Sequence, residues 1–354
     1  MNRWELVHAD CLNAMREMDA DSIDAVVTDP PYGLSFMGKG WDHGVPGVEF
    51  WREALRVAKP GAHLVAFGGT RTFHRLACAI EDAGWEIRDC LSWLYGSGFP
   101  KSKNLDGAWQ GWGTALKPAW EPIIVARKPL ISTVAANVLK HGTGGINIDA
   151  CRIGIAAGDD IHAKHPHTVG TIGASGIYGE GVATLYKVPV GRWPANVILG
   201  CCGNDPHDPD CAVRLLDEQT GTLSSGNLLP SHSLKASANL SMSGPNQARS
   251  PRQAFGGDSG GASRFFYTAK ASRRERGEGN THPTVKPVSL MRYLVRLVTP
   301  PGGLVLDPFN GSGSTGVASI AEGFRYIGCE REAEYVDISR SRLSDAEELQ
   351  RILF

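Results

Sequence analysis

The stretch of this 354-residue chain best equipped for chemistry is Asp29-Pro30-Pro31-Tyr32. Each proline fixes φ and removes a backbone donor, so the stretch is a stiff loop that offers carbonyl acceptors beside an aromatic ring. That combination suits an amino group carried on a planar heterocycle. Such a nitrogen is a poor nucleophile because its lone pair is delocalised into the ring. Acceptors that hold its two hydrogens favour the tetrahedral form that can attack. The Asp29 carboxylate and the Pro30 carbonyl can be those acceptors, and Tyr32 can stack on the ring. Taken alone, the same residues also suit a surface turn.

A second motif lies near the other end. Leu304-Val305-Leu306 reads as a strand, followed by Asp307-Pro308-Phe309-Asn310, the turn Gly311-Ser312-Gly313 and a helix start at Ser314-Thr315-Gly316. Nucleotide-like cofactors rest on strand, glycine-rich turn and helix in this order. No lysine follows the glycines, which argues against a phosphate-cradling P-loop. The next strand ends in Glu330, whose carboxylate can hydrogen-bond both hydroxyls of a ribose. Alone, Glu330 reads as an exposed charge at a helix start.

Strands must deliver both motifs. Residues 24–28 and 63–67 predict buried strands, and 50–57 a helix ended by Lys59-Pro60-Gly61, which cannot continue it cheaply. Thr70 is the expected N-cap of a helix reaching Ala83, and 87–94 and 122–126 predict further strands. Strands alternating with helices indicate a parallel sheet, and Asp29 then falls at a strand's carboxyl end, where open α/β sheets place ligands. From about 131 to 263, Gly, Ser, Asn, Thr and Pro prevail, which predicts an insertion. The α/β texture returns near 285. Residues 288–298 set Leu290, Met291, Leu294, Val295, Leu297 and Val298 opposite Arg292 and Arg296, as in an amphipathic helix. A strand at 304–306, a helix at 315–321, a strand at 326–328 and a closing helix at 333–349 follow. The expected fold is α/β, a doubly wound, mostly parallel sheet built from residues 1–130 and 264–354, with 131–263 inserted.

With 42% hydrophobic and 21% charged residues the composition is that of a globular protein. No run of about 18 apolar residues suggests a membrane span, and no apolar stretch at the amino terminus suggests a signal peptide, so a cytoplasmic location with reduced thiols is expected. Lys and Arg number 36 against 37 Asp and Glu, so any surface for a polyanion must be local.

Asp-Pro-Pro-Tyr followed, almost the whole chain later, by Asp-Pro-Phe-x-Gly-Ser-Gly-Ser resembles the DNA amino-methyltransferases of adenine N6 and cytosine N4. Catalytic loop first and cofactor loop last resembles their permuted beta class. The likeness covers about residues 1–130 and 264–354. It implies a Rossmann-like methyltransferase with circularly permuted motif order, S-adenosyl-L-methionine as cofactor, double-stranded DNA as substrate, and direct in-line transfer to a flipped base by Asp29, Pro30, Pro31 and Tyr32. It implies that Asp307, Phe309, Gly311 and Gly313, with Ser312 between the glycines, border the cofactor methionine, that Glu330 holds the ribose, and that Asp10 of His8-Ala9-Asp10-Cys11 meets the adenine. His282, Thr284 and Lys286 of the segment 282–287 would lie near the cofactor carboxylate, a placement that fits an anion before a helix amino terminus. A second copy of the chain and a cognate restriction endonuclease are the further partners considered.

The insertion lies where this class carries its target-recognition region. Within Gly191-Arg192-Trp193-Pro194-Ala195-Asn196, Arg192 can read guanine and Asn196 adenine; a packed Trp193 beside a structural arginine is the alternative. Arg264, Lys270, Arg273, Arg274 and Arg276 face only Glu275 and can hold phosphates. Residues 91–102 resemble the wall of the target-base pocket, with Trp93 or Phe99 towards the base. Cys201, Cys202, His207 and Cys211 offer ligand types for a small zinc site, but their spacing matches no standard finger, so no metal is expected and buried thiols are the default.

Adenine N6 is the expected target. Cytosine-N4 methylation is the alternative, although members acting on cytosine more often carry Ser where Asp29 stands. Amino-methyltransferases of RNA or protein glutamine more often carry Asn there and reverse the motif order. A nicotinamide dehydrogenase would leave Asp-Pro-Pro-Tyr unexplained, and a DNA-binding protein without catalysis would not need Asp29, Tyr32, Asp307 and Glu330 together.

Overall fold

The computed structural model describes residues 3–34, 44–98, 102–154, 191–224, 258–270, 280–282 and 284–353. In chain order, the elements of the first part are β1 (Trp4–His8), α1 (Cys11–Arg16), β2 (Ile23–Thr28), α2 (Val48–Val57), β3 (Ala58–Phe67), α3 (Phe73–Asp82), β4 (Glu86–Leu94) and β5 (Trp120–Arg127). The middle holds α4 (Val134–His141), β6 (Val197–Cys201), α5 (Ala212–Thr220), β7 (Leu223–Ser224), β8 (Ser259–Gly260) and β9 (Tyr267–Lys270). The last part is α6 (Val288–Val298), β10 (Leu304–Asp307), α7 (Ser314–Ala321), β11 (Arg325–Glu330) and α8 (Ala333–Leu353).

A nine-stranded sheet runs β1-β11-β10-β2-β3-β5-β4-β6-β9. All its pairs are parallel except those of β5, which runs against both β3 and β4. Successive side chains leave a strand on opposite faces. Ala25 and Val27 accordingly pack with Leu290 and Leu294 of α6 and Ala318 of α7, while Val26 packs with Met15 of α1, Trp51 of α2 and Ile80 of α3, as does Ile23, which precedes an irregularity in the strand pairing. Helices on both faces explain why β2 is buried throughout, and they bear out the doubly wound α/β fold read from the apolar runs.

Three local readings change. The strand after α2 begins at Ala58, directly after the helix, and a register shift between the Ile23 and Ala25 pairings absorbs Lys59-Pro60-Gly61. The N-cap of α3 is Thr72 rather than Thr70, and its hydroxyl caps no N–H of the helix but donates to the Tyr32 carbonyl at 2.7 Å. β1 went unread because it is a short edge strand, half-exposed, with a weak apolar signal.

The chain divides into two compact units, the first spanning Met1–Cys151, Pro194–Leu215 and Phe266–Phe354, the second Arg152–Trp193 and Leu216–Phe265. This division differs from an insertion at 131–263, because β6 enters the main sheet between β4 and β9 and carries 194–215 with it. In the second unit β7 pairs antiparallel with β8, and Asp217 accepts from Ser263 N at 2.8 Å and Ser263 Oγ at 2.7 Å. Among the described residues no helix is long and apolar enough to cross a membrane.

Candidate active site

β2 and β10 are parallel neighbours, so their carboxyl ends set Asp29 and Asp307 side by side at the same end of the strands. Thr28 Oγ1 donates to Asp307 Oδ1 at 2.6 Å, joining the two motifs directly. A cleft of about 1330 Å³ opens over these strand ends, lined among others by Asp10, Asp29, Pro30, Pro31, Tyr32, Phe50, Tyr95, Glu121, His282, Thr284, Lys286, Asp307, Phe309, Gly311, Ser312 and Glu330. Every residue assigned from sequence to catalysis or cofactor lines it except Gly313, which starts α7 with a left-handed φ of 79°.

One half of the cleft is a charged cluster around the proline loop. Lys286 Nζ lies 2.6 Å from Asp29 Oδ2, 3.4 Å from Glu121 Oε2 and 3.1 Å from Tyr32 Oη. The Tyr32 hydroxyl is 2.8 Å from Asp29 Oδ1 and 2.9 Å from Glu121 Oε2. Burial works against the Lys286 charge, but the Asp29 and Glu121 carboxylates outweigh it and hold its pKa above the ordinary value. Burial, then the same two carboxylates, push the Tyr32 phenol well above 10, so it stays protonated and donates. Lys286, expected beside a cofactor carboxylate, is therefore bound to Asp29.

The other half is built on the glycine turn. Burial pushes Asp307 up to about 6, against the hydroxyls of Thr28 and Thr315 and the Phe309 N–H, which favour its charge. Gly311 has φ of 52°, and a Cβ there would come within 3.0 Å of His282 Nε2. Only glycine meets both demands cheaply. The His282 ring packs edge-on against Tyr335 at 4.4 Å, and burial lowers its pKa, which favours the neutral ring. Glu330 accepts from Gly311 N at 2.8 Å through Oε2 and from Arg331 N and Glu332 N at 2.9 and 2.8 Å through Oε1, tying the glycine turn to the end of β11. Burial raises its pKa and those N–H groups oppose the rise. Asp10 caps α1, accepting from Leu12 N at 3.0 Å. Arg342 donates to the Ser312 hydroxyl at 3.0 Å, and Phe50 faces Phe309 with ring centroids 6.1 Å apart.

Glu121 escaped sequence reasoning, whereas Tyr95 lines the cleft from the segment 91–102 expected to wall the pocket. Glu121 sits at the head of β5 in Trp120-Glu121-Pro122, where nothing marks it as functional until the antiparallel strand turns it towards Tyr32. Burial, followed by the Glu121 charge, raises the Tyr95 phenol to about 12.

The residues expected at nucleic acid are placed differently. Arg192 and Arg264 both ion-pair with Asp258 inside the second unit, and each side chain is 14% exposed. This corrects the reading of Arg192 as a free guanine reader and of Arg264 as a phosphate contact, since their donors face a buried carboxylate. Asn196 donates to Asp89 at 3.3 Å from an exposed position, and Lys270 is exposed at the end of β9. Arg273, Arg274, Arg276 and Phe99 lie outside the described residues. Trp93 is a buried core residue, not a wall of the cleft. Cys201, Cys202, His207 and Cys211 come together elsewhere in the first unit.

The N6/N4 DNA methylase family model matches residues 23–341, and the chain belongs to that family. It is 26% identical over 198 residues to the type II methyltransferase M.HindIII of Haemophilus influenzae, an alignment covering 40% of this chain and 64% of that protein. It is 40% identical over 80 residues to the DNA adenine methyltransferase YhdJ of Escherichia coli, covering 21% of this chain and 27% of that one. The chain thus spans less than two thirds of the length of these relatives. The PvuII DNA methyltransferase, cytosine-N4-specific, shares the fold at a TM-score of 0.51 and 14% identity, with 98% of this chain and 92% of that one covered.

Proposed function

We propose that this protein transfers a methyl group from S-adenosyl-L-methionine to the exocyclic amino group of adenine, N6, in double-stranded DNA. The observation that carries the proposal is the Thr28–Asp307 hydrogen bond, which holds an amino-accepting loop and a glycine-rich cofactor turn in one cleft. The lining suits the cofactor. Carboxylates outnumber cations along it, which favours a cationic ligand, and Phe50 and Phe309 offer an apolar face for a heterocycle. Asp10 and Glu330 would hold the nucleoside end, and Asp307, Gly311, Ser312 and Gly313 the amino-acid end, beside His282 and Thr284. Bound there, S-adenosylmethionine supplies an electrophilic methyl group on a sulfonium sulfur.

The chain's own residues prepare the nucleophile. A flipped adenine stacks on Tyr32, which returns about 1–3 kcal/mol of the few kcal/mol needed to unstack it. Asp29 and the Pro30 carbonyl accept the amino hydrogens and draw the nitrogen lone pair out of conjugation. Lys286 and the Tyr32 hydroxyl fix the Asp29 carboxylate so that one rotamer faces the base. After transfer the nitrogen sheds a proton, for which Asp29 is the adjacent acceptor. Target reading is assigned to the second unit, Arg152–Trp193 and Leu216–Phe265.

The 40% identity to a protein named a DNA adenine methyltransferase favours N6, as does a carboxylate at position 29. Cytosine N4 is the second reading, because the same acceptors serve either amino group. DNA from a methylase-free host expressing the protein, digested to nucleosides and weighed, is expected to contain N6-methyladenine; N4-methylcytosine without it would overturn the choice of base.

A further inference from the structure

Cys201 ends β6, Cys202 follows it, and Cys211 immediately precedes α5, with His207 on the turn between. The spacing fits no standard finger, yet the fold makes the four converge. His207 Nδ1 lies 3.5 Å from Cys201 Sγ, 3.6 Å from Cys202 Sγ and 3.8 Å from Cys211 Sγ. All four ligand atoms fall within 4.8 Å of one another. Hydrogen bonding does not account for this convergence, because one ring nitrogen carries a single hydrogen or a single lone pair and can serve one thiol, not three. A tetrahedral ion does. With Zn–S of about 2.3 Å and Zn–N of about 2.0–2.1 Å, tetrahedral angles put N and S about 3.6 Å apart.

We propose that Cys201, Cys202, His207 and Cys211 bind a structural zinc ion. Three sulfurs and a nitrogen close the coordination shell and leave no open position for a substrate, as in structural rather than catalytic sites. Outer hydrogen bonds are in place to steady thiolates: Gly203 N donates to Cys201 Sγ and Asp208 N to Cys202 Sγ, each at 3.3 Å, while Arg214 donates to the His207 carbonyl at 3.3 Å. Between Cys201 and Cys211 no residue is fully buried, so the turn has almost no core of its own and a metal can supply the missing constraint. The constraint reaches the cleft. The Asp210 carbonyl lies where a Cβ on Gly96 would stand, and Gly96 follows Tyr95, a lining residue. Zinc would thus brace the wall that carries Tyr95.

The test is metal analysis of the full chain purified without added metal or chelator. Stoichiometric zinc is expected in the wild type and in His207→Cys, which offers a fourth thiolate, and loss of zinc in Cys202→Ser and His207→Ala. Cobalt(II) exchanged into the wild type should show the intense visible bands and sulfur charge transfer of a tetrahedral thiolate site, a reading that does not depend on a variant folding. Zinc well below stoichiometry in the wild type, retention by His207→Ala, or the weak bands of octahedral cobalt would overturn the proposal.

Discussion

Lys286 and Asp29, 257 residues apart in sequence, meet at 2.6 Å in the wall of the cleft. In the proposed reaction the contact makes Lys286 a positioning residue for the Asp29 carboxylate, and that role differs in its consequences from cofactor binding. Lys286→Met frees the Asp29 carboxylate to leave the position in which Lys286 holds it. A catalytic group misplaced by about 1 Å costs about 10²-fold in rate, so methyl transfer should slow by that order while cofactor affinity stays nearly unchanged. Single-turnover rates beside calorimetric cofactor titrations separate the two. A large loss of cofactor affinity with an unchanged rate would return Lys286 to the cofactor.

In the proposed reaction Tyr32 acts separately through its ring and its hydroxyl. Tyr32→Phe keeps the stacking face and loses the hydrogen bond to Asp29, a change of about 0.5–1.5 kcal/mol, or up to roughly tenfold in rate. Tyr32→Ala loses the face, so affinity for a duplex with a mismatched, easily flipped target should fall by the stacking energy of about 1–3 kcal/mol. Equal effects of the two substitutions on DNA binding would show that the ring does not meet the base.

Asp307 gives a pH dependence with a definite sign. Burial raises its folded pKa from 3.8 to about 6, so the folded state binds the proton more tightly than the unfolded state. The stabilisation is fully present below about pH 4 and is lost as pH rises through about 6. Asp307→Asn, neutral throughout, should gain stability relative to the wild type by on the order of 3 kcal/mol between pH 4 and pH 7. Urea titrations of both proteins across that range check the slope, and a constant difference would remove the carboxyl as its source.

Gly311→Ala strains the turn twice, by a left-handed φ and by contact with His282. A left-handed non-glycine residue costs about 1–2 kcal/mol, and displacing the ring adds to it. Thermal melts should show the loss, and cofactor should bind more weakly. An unperturbed melting temperature would mean that the turn relaxes freely.

Much of this site was legible in sequence because its two halves are local. Asp29 and Asp307 each end a short apolar run, and a strand's carboxyl end is where an α/β sheet exposes a loop. The helix 288–298 matched its structure because its apolar face at helical spacing is the face buried in the core. Glu121 was invisible because its role depends on β5 running against its neighbours, which no single-strand pattern specifies. Arg192 stayed open between two readings for a similar reason: its partner Asp258 is remote in sequence, and an arginine beside a tryptophan looks the same whether it faces solvent or a carboxylate. The four residues proposed to bind zinc were recognisable as ligand types, but only the turn between β6 and α5 makes them converge.

In the proposed reaction Asp29 activates an amino group beside a separately formed cofactor site. Transfer of labelled methyl from S-adenosylmethionine to duplex DNA by the wild type and by Asp29→Ala, with cofactor affinity measured for both, tests it most directly. Label on adenine N6 is expected with the wild type, none with the variant, and nearly equal cofactor affinity for both. Unchanged turnover by Asp29→Ala, or a wild type that binds cofactor and labels no base, would contradict it.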